Sequence, residues 1–279
     1  MPVRRSRSTV GWYIALTALS LVILFPIYTT IIRAISSPIP YLNSIKSGTA
    51  GLTPVDANLS IFGDVLADST FQDAMVLSVG VAALVVLAEA ITSIAAAYAF
   101  VFMEFPFKRT LFALIMGTML LPIEVTLIAN IETIRDASLF NSILGLSAPF
   151  LVWAFGFFLL RQAFMSVPPE LRDAAELDGY GHLRFLWKIV LPISRPMVGS
   201  FLLIAFLGAW NQYLWPRFAA DRPDWQTIQV ALRNLGKQEI DKLNFGFAAA
   251  LLSALPLLVA LIIFQRQLIR GLTAGAVKG

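Results

Sequence analysis

The sequence predicts an all-α, polytopic membrane protein with six spanning helices, and three observations carry that prediction. Of its 279 residues, 58% are hydrophobic and only 14% charged, where an ordinary soluble domain carries about 25% charged residues. Four runs, 8–32, 137–160, 196–216 and 243–265, contain no Asp, Glu, Lys or Arg, and each can supply the roughly 20 residues that cross a bilayer as helix. Two more stretches, 74–103 and 110–131, are broken by one acid each, Glu89 and Glu124. A globule this size cannot hide so much apolar surface from water, which excludes a water-soluble enzyme.

The spans fall at about 11–35, 74–103, 110–131, 144–165, 196–216 and 245–268 within one membrane domain. The first begins after Arg4, Arg5 and Arg7; its run is too long for a signal-peptide core, and no small-residue cleavage site follows. Between spans one and two, segment 36–73 is rich in Pro and Gly and closes on Leu59–Phe71, where a short surface helix is expected. Pro26, Pro122 and Pro256 fall inside spans, as kinks between packed helices or as hinges.

Charge sets the orientation. With the N-terminus inside, the short inner flanks hold Arg4, Arg5 and Arg7, then Lys108 and Arg109, then five basic residues in 161–195, then Arg266, Arg270 and Lys278. This positive-inside bias predicts both termini in the cytoplasm, and it explains the net charge of +4 without nucleic acid. The chain has no Cys and one His, His182, so thiolate or histidine metal sites are excluded and His182 is expected to be solvated or packed against its loop. No G-x-x-x-x-G-K-[ST] run occurs, nor HExxH, nor a nucleophile elbow.

The most informative stretch is the inner loop 166–194, from Ser166-Val167-Pro168-Pro169-Glu170 to Leu191-Pro192. Two prolines and an acid suit a helix first turn. Leu171, Ala174, Ala175 and Asp178 share one face by the i, i+3, i+4, i+7 rule, a flat face built on two alanines. Gly179 is placed to stop the helix in a left-handed conformation. A second amphipathic turn should follow, with Leu183, Leu186 and Val190 on one side. The loop is thus a compact helix–turn–helix, a docking element or an ordinary surface hairpin.

Asp173-Ala174-Ala175, Gly179 after three residues, and Ile189-Val190-Leu191-Pro192 after nine more resemble the EAA loop of bacterial ABC importer permeases, with Asp173 where that family usually has Glu. Further likeness comes from Ala95–Phe100, from Leu120-Leu121-Pro122, from Phe155–Gln162, from Trp210–Pro216 and from Gly271–Gly279. It points to the maltose-type carbohydrate branch and its smaller, six-helix subunit.

The resemblance implies a type I importer permease fold in a bacterial cytoplasmic (inner) membrane. It implies four kinds of partner: a second, homologous permease making a heterodimer, two ATP-binding subunits, an extracytoplasmic solute-binding protein, and lipid. No cofactor is expected on this chain; ATP and Mg would be used by the partner subunits. The loop helix would couple to the ATPase through Glu170, Asp173, Ala174, Ala175, Asp178, Gly179, Leu191 and Pro192. The tail, 269–279, would reach the ATPase through Thr273, Gly275, Lys278 and Gly279, and the 217–243 loop would face the binding protein.

Glu89 and Glu124 lie at membrane depth, where an acid either lines a solute path or sits buried and holds helices together. Asn211, Gln212 and Tyr213, near the outer end of the fifth span, suit sugar hydroxyls or interhelical packing alike. Trp12, Trp153, Trp215 and Trp225 read as interfacial anchors or packing groups. The alternative to the importer is a proton-coupled secondary transporter using Glu89 or Glu124.

Overall fold

The computed structural model describes residues 7–48, 51–235 and 242–274. These are helices and turns, with one isolated antiparallel bridge, Ser36 to Ala57. In chain order the helices begin with α1 (Arg7–Ile35), α2 (Pro38–Lys46), α3 (Ser60–Ala67) and α4 (Ser69–Phe102). They continue with α5 (Lys108–Thr118), α6 (Ile123–Asp136), α7 (Ile143–Ser147), α8 (Ala154–Met165), α9 (Pro169–Leu177) and α10 (His182–Phe185). The last six are α11 (Leu191–Ile193), α12 (Arg195–Trp210), α13 (Leu214–Ala219), α14 (Ile228–Leu235), α15 (Leu243–Ser253) and α16 (Leu255–Ala274).

Three continuous stretches are long and apolar enough to cross a membrane: Val10–Ile35, Ser69–Phe102 and Leu243–Gln267. Two further candidates are bent pairs, Ile143–Phe150 with Ala154–Met165 at 54°, and His182–Ile193 with Arg195–Trp210 at 84°. The third expected span, 110–131, is not one helix. It breaks between Thr118 and Ile123, where Pro122 stands in extended backbone just ahead of α6. A proline has no N–H to donate and clashes with helical backbone before it, so the helix stops and a new one starts. Pro26 stays inside a continuous α1, where Thr29 and Thr30 hydroxyls both donate to its carbonyl, at 2.9 and 2.8 Å. Pro256 occupies the first turn of α16, where no N–H is needed.

The contacts divide the chain into two compact units instead of one body. The first comprises the described residues up to Gln72 with Ala231–Ala254. In it α15 packs on α1 and α3, using the small buried residues Asn244, Ala248, Ala249 and Ser253. The loop beyond α1 is tied back by polar contacts: Ser36 Oγ donates to Ile32 O at 2.6 Å and accepts from Val55 N at 3.2 Å. The Tyr28 hydroxyl donates to Leu52 O. Arg33 lies over the Phe247 ring, 5.4 Å from its centroid. Along α1, apolar side chains from Val10 to Phe25 are exposed, the surface a lipid-facing helix presents. The expected short helix in 59–71 is α3.

The second unit comprises Asp73–Val230 and the described residues from Leu255 onward. Its larger core joins Ala97, Tyr98, Phe157, Leu160, Phe164 and Phe201 to loop residues Ala175, Phe185, Leu186 and Val190. A smaller core gathers Val81, Val85, Ile134 and Leu146 around the fully buried Trp215, whose indole N–H donates to Gly145 O at 3.1 Å. Trp215 is therefore a packing group; Trp12 is exposed. Gly156 allows the closest approach: a Cβ there would sit 2.6 Å from Phe201 and 3.0 Å from Ser93 Oγ. α12 and α16 are joined by packing and by Ser200 Oγ, which donates to Gln267 O at 3.1 Å. Beyond Pro216 the chain is more structured than a loop, and Ile228 and Val230 at the start of α14 are buried.

Candidate functional site: a cleft at the helix breaks and a capped inner loop

The second unit holds a cleft of about 630 Å³. Breaks in the helices build it. The Thr118–Ile123 gap supplies Thr118, Met119 and Leu121 to its wall, and the bend ahead of α8 supplies Phe150, Val152 and Trp153. Backbone freed from helix at membrane depth is tolerated where it lines a cavity. Most of the wall is apolar; Glu89, Asn130, Thr126 and Gln212 add polar groups. Glu89 is buried on α4, and its Oε2 has no hydrogen-bond partner among the described residues. On α6 the Asn130 amide donates to Thr126 Oγ1 at 3.1 Å.

Of the five residues expected along a solute path, the cleft brings together Glu89 and Gln212. Glu124 instead is exposed in the first turn of α6, where free helix N–H groups favour an acid. Asn211 is exposed and its amide donates to Leu207 O at 2.9 Å; neither it nor Tyr213 lines the cleft. Trp153 lines the cleft and also packs on Phe155 and Phe201, ring centroids 5.2 and 6.0 Å away. The sequence reading missed Thr126 and Asn130. Their signal was an i, i+4 polar pair on the stretch where only Glu124 drew notice.

The inner loop begins with Pro169 at the first position of α9 and Glu170 in its first turn. At the other end, Tyr180 N donates to Ala175 O at 2.8 Å and Gly179 N to Glu176 O at 3.1 Å. With Gly179 at φ +72, these bonds form a Schellman cap, the left-handed stop that glycine favours. Asp173, Ala174 and Asp178 are exposed, as is Glu170, while Ala175 is buried. The two alanines thus do not form one flat outer face. Adjacent helix positions are about 100° apart, and Ala175 turns into the core beneath. Leu191 and Pro192 are half-buried.

Beyond Gly179 the expected second amphipathic turn is displaced. Leu186 and Val190 are buried but Leu183 is 75% exposed. A π-helical turn spans Leu186–Val190, the buried part of this segment. His182 has a specific partner: its Nδ1 and the Tyr98 hydroxyl are hydrogen-bonded at 3.0 Å, the rings edge to face. This bond joins the loop to α4. Tyr98→Phe keeps the ring packing and deletes the bond, so thermal denaturation in detergent should show a loss of about 1 kcal/mol. An unchanged melting curve would mean that the bond contributes nothing to stability. Of the expected tail contacts, Gly275, Lys278 and Gly279 lie outside the described residues, and Thr273 falls in the last turn of α16.

Long apolar helices, broken spans around a mostly apolar cleft that carries a few polar groups, and a capped helix–turn–helix between spans define a membrane-embedded transport subunit. The chain belongs to the family described as "Binding-protein-dependent transport system inner membrane component", which matches residues 89–274. It is a permease subunit of an ABC importer and not an enzyme; this membership replaces the secondary-transporter alternative.

Among similar proteins is the sn-glycerol-3-phosphate transport system permease protein UgpE of Yersinia pestis bv. Antiqua (strain Antiqua), 34% identical over 268 residues, covering 90% of this chain and 91% of that one. The protein of the same name from Rhizobium meliloti is 28% identical over 271 residues, with the same two coverages. A solved bacterial ABC transporter involved in import of the acidic polysaccharide alginate has a chain that superposes with a TM-score of 0.81, at 23% identity, over 94% of this chain and 98% of its own. That likeness establishes the fold.

Proposed function

We propose that this chain forms one half of the translocation pathway for a carbohydrate or related polar solute, with a second, homologous permease forming the other half. The observation that carries the reading is the cleft, where Glu89, Asn130, Thr126 and Gln212 stand in an otherwise apolar wall at a break in the spans. Relatives named for sn-glycerol-3-phosphate transport support a small polyol or sugar derivative as the solute.

In this reading both termini are cytoplasmic. α9 docks in a cleft of an ATP-binding subunit through Glu170, Asp173, Ala174 and Asp178, while Ala175, Gly179, Leu191 and Pro192 hold the loop in shape. Two such subunits use ATP and Mg, and their closure moves the loop and switches access to the cleft between the two sides of the membrane. The segment around α14 faces a solute-binding protein outside, and the tail from Thr273 to Gly279 reaches the ATPase pair.

The test is reconstitution in liposomes. The chain alone is expected to show neither ATP hydrolysis nor transport, and both should appear only with the partner permease, the ATPase and the binding protein. ATP hydrolysis by the purified chain free of those subunits would overturn the proposal.

A further inference from the structure

We infer that the hydrogen bond between Tyr98 and His182 is a latch through which the inner loop moves α4, and with it part of the cleft wall. Tyr98 and His182 are thus positioning residues for solute transfer. The inference rests on the importer reading above and names a device within it.

The first ground is where the bond sits. His182 opens α10 just after the left-handed stop at Gly179, and Tyr98 lies one turn before the end of α4. The 3.0 Å bond joins an exposed loop residue to a buried one on the span. Among the described residues no second side-chain hydrogen bond joins 169–194 to α4. Around it the contact is apolar: Phe185 packs edge to face on Phe102 and Tyr98, ring centroids 5.3 and 6.4 Å away. Apolar burial has no preferred direction, whereas a hydrogen bond weakens steeply as its angle opens. The bond therefore fixes the register of the loop on α4, which ring packing alone leaves loose.

The second ground is what α4 carries. It runs unbroken and without a proline from Ser69 to Phe102, and its Val85 and Glu89 stand in the cleft wall. At 1.5 Å per residue they lie about 20 and 14 Å along the helix from Tyr98. Over such distances coupling is carried by hydrogen bonds and rigid helices. A displacement of the loop that pulls on Tyr98 is handed to Val85 and Glu89 by one continuous rod. The wall residues of α12, among them Gly208 and Ala209, are reached separately, because α12 continues the chain directly from the loop. The latch thus brings a second helix under the control of the same loop.

The chain has no cysteine, so a single introduced thiol reports on each helix. V85C reports on α4: Val85 is buried at the cleft, and a thiol there reacts when the wall moves. G208C reports on α12, where an added Cβ meets nothing within 4 Å. Each is placed in the complete complex, assembly is checked by copurification of the ATPase, and alkylation of this chain is followed by mass spectrometry with and without ATP. In the native background ATP should change the rate severalfold at both thiols. In Y98F and in H182F, which keep a ring on each side, the change at V85C should fall by about threefold or more, the scale of one hydrogen bond, while that at G208C persists. H182N, whose Oδ1 takes the place of Nδ1, should restore the response at V85C; H182Q, whose amide reaches one bond further, should not. A native response at V85C in Y98F overturns the latch, and so does an equal loss at G208C, which a merely structural bond would give; both leave the importer reading standing. No ATP response at either thiol in the native background overturns the importer reading itself, and this inference with it.

Discussion

Gly179→Val is expected to abolish solute uptake while the chain still inserts in the membrane at normal levels. Gly179 has φ +72, and a Cβ there would meet nothing within 4 Å. The penalty is therefore conformational and not a clash with neighbours. A left-handed residue costs an ordinary side chain roughly 1–2 kcal/mol, and a β-branched one more. The cheapest relief is to give up the left-handed cap and redirect the chain between α9 and α10. Gly179→Asn, which tolerates this conformation, should retain most uptake, and Gly179→Ala should fall between. Asp173→Lys should also lower uptake: Asp173 is exposed at the middle of α9, on the surface proposed to dock, and a long cation there replaces a short acid. Asp173→Glu should be tolerated. Uptake measured alongside copurification of the ATPase checks all five variants, and full uptake by Gly179→Val would show that the loop's stop is not needed for coupling.

Gly156→Leu is expected to prevent stable folding, the largest structural effect of any single change considered. Even a bare Cβ would lie 2.6 Å from Phe201 Cε2, 2.9 Å from Trp153 Cε3 and 3.0 Å from Ser93 Oγ. Overpacking a tight core costs about 1–3 kcal/mol when neighbours can shift. Here a leucine would press on three side chains at once. Size-exclusion profiles and melting curves in detergent should show aggregation or a markedly lower midpoint, with Gly156→Ala milder. A native melting curve for Gly156→Leu would show that α8 can move away from Phe201.

Much of the architecture is legible in the sequence because lipid imposes a blunt rule: long runs without charge become spans. Gly179 was legible for a similar reason, since glycine after an alanine-rich amphipathic turn has a local meaning. What escaped was set by tertiary structure. Pro122 reads equally as a kink or a break until the neighbouring backbone is known, and it proves to be a break. Helical spacing placed Ala174 and Ala175 on one face, but which side faces the core depends on Phe185, Leu186 and Val190, brought there by the chain's return. The π turn over Leu186–Val190 was not legible either, because it has no sequence period of its own. In the cleft, Glu89 stood out as an isolated acid in an apolar run, while Thr126 and Asn130 gained meaning only when the break before α6 faced them into the same space.

The 84° bend between His182–Ile193 and Arg195–Trp210 has a mechanical corollary. Two rods meeting at nearly a right angle form a bell crank, in which thrust along one arm becomes rotation of the other. The sixteen-residue α12 is an arm of roughly 24 Å at 1.5 Å per residue. A pivot of about 5° at Ser194 would carry its far end roughly 2 Å sideways, by that arm length. Ile204, Ala205, Gly208 and Ala209 ride on the distal half of this arm and form part of the cleft wall. A small displacement at the loop would thus arrive at the wall enlarged and turned through a right angle, changing the aperture most near Gly208 and Ala209.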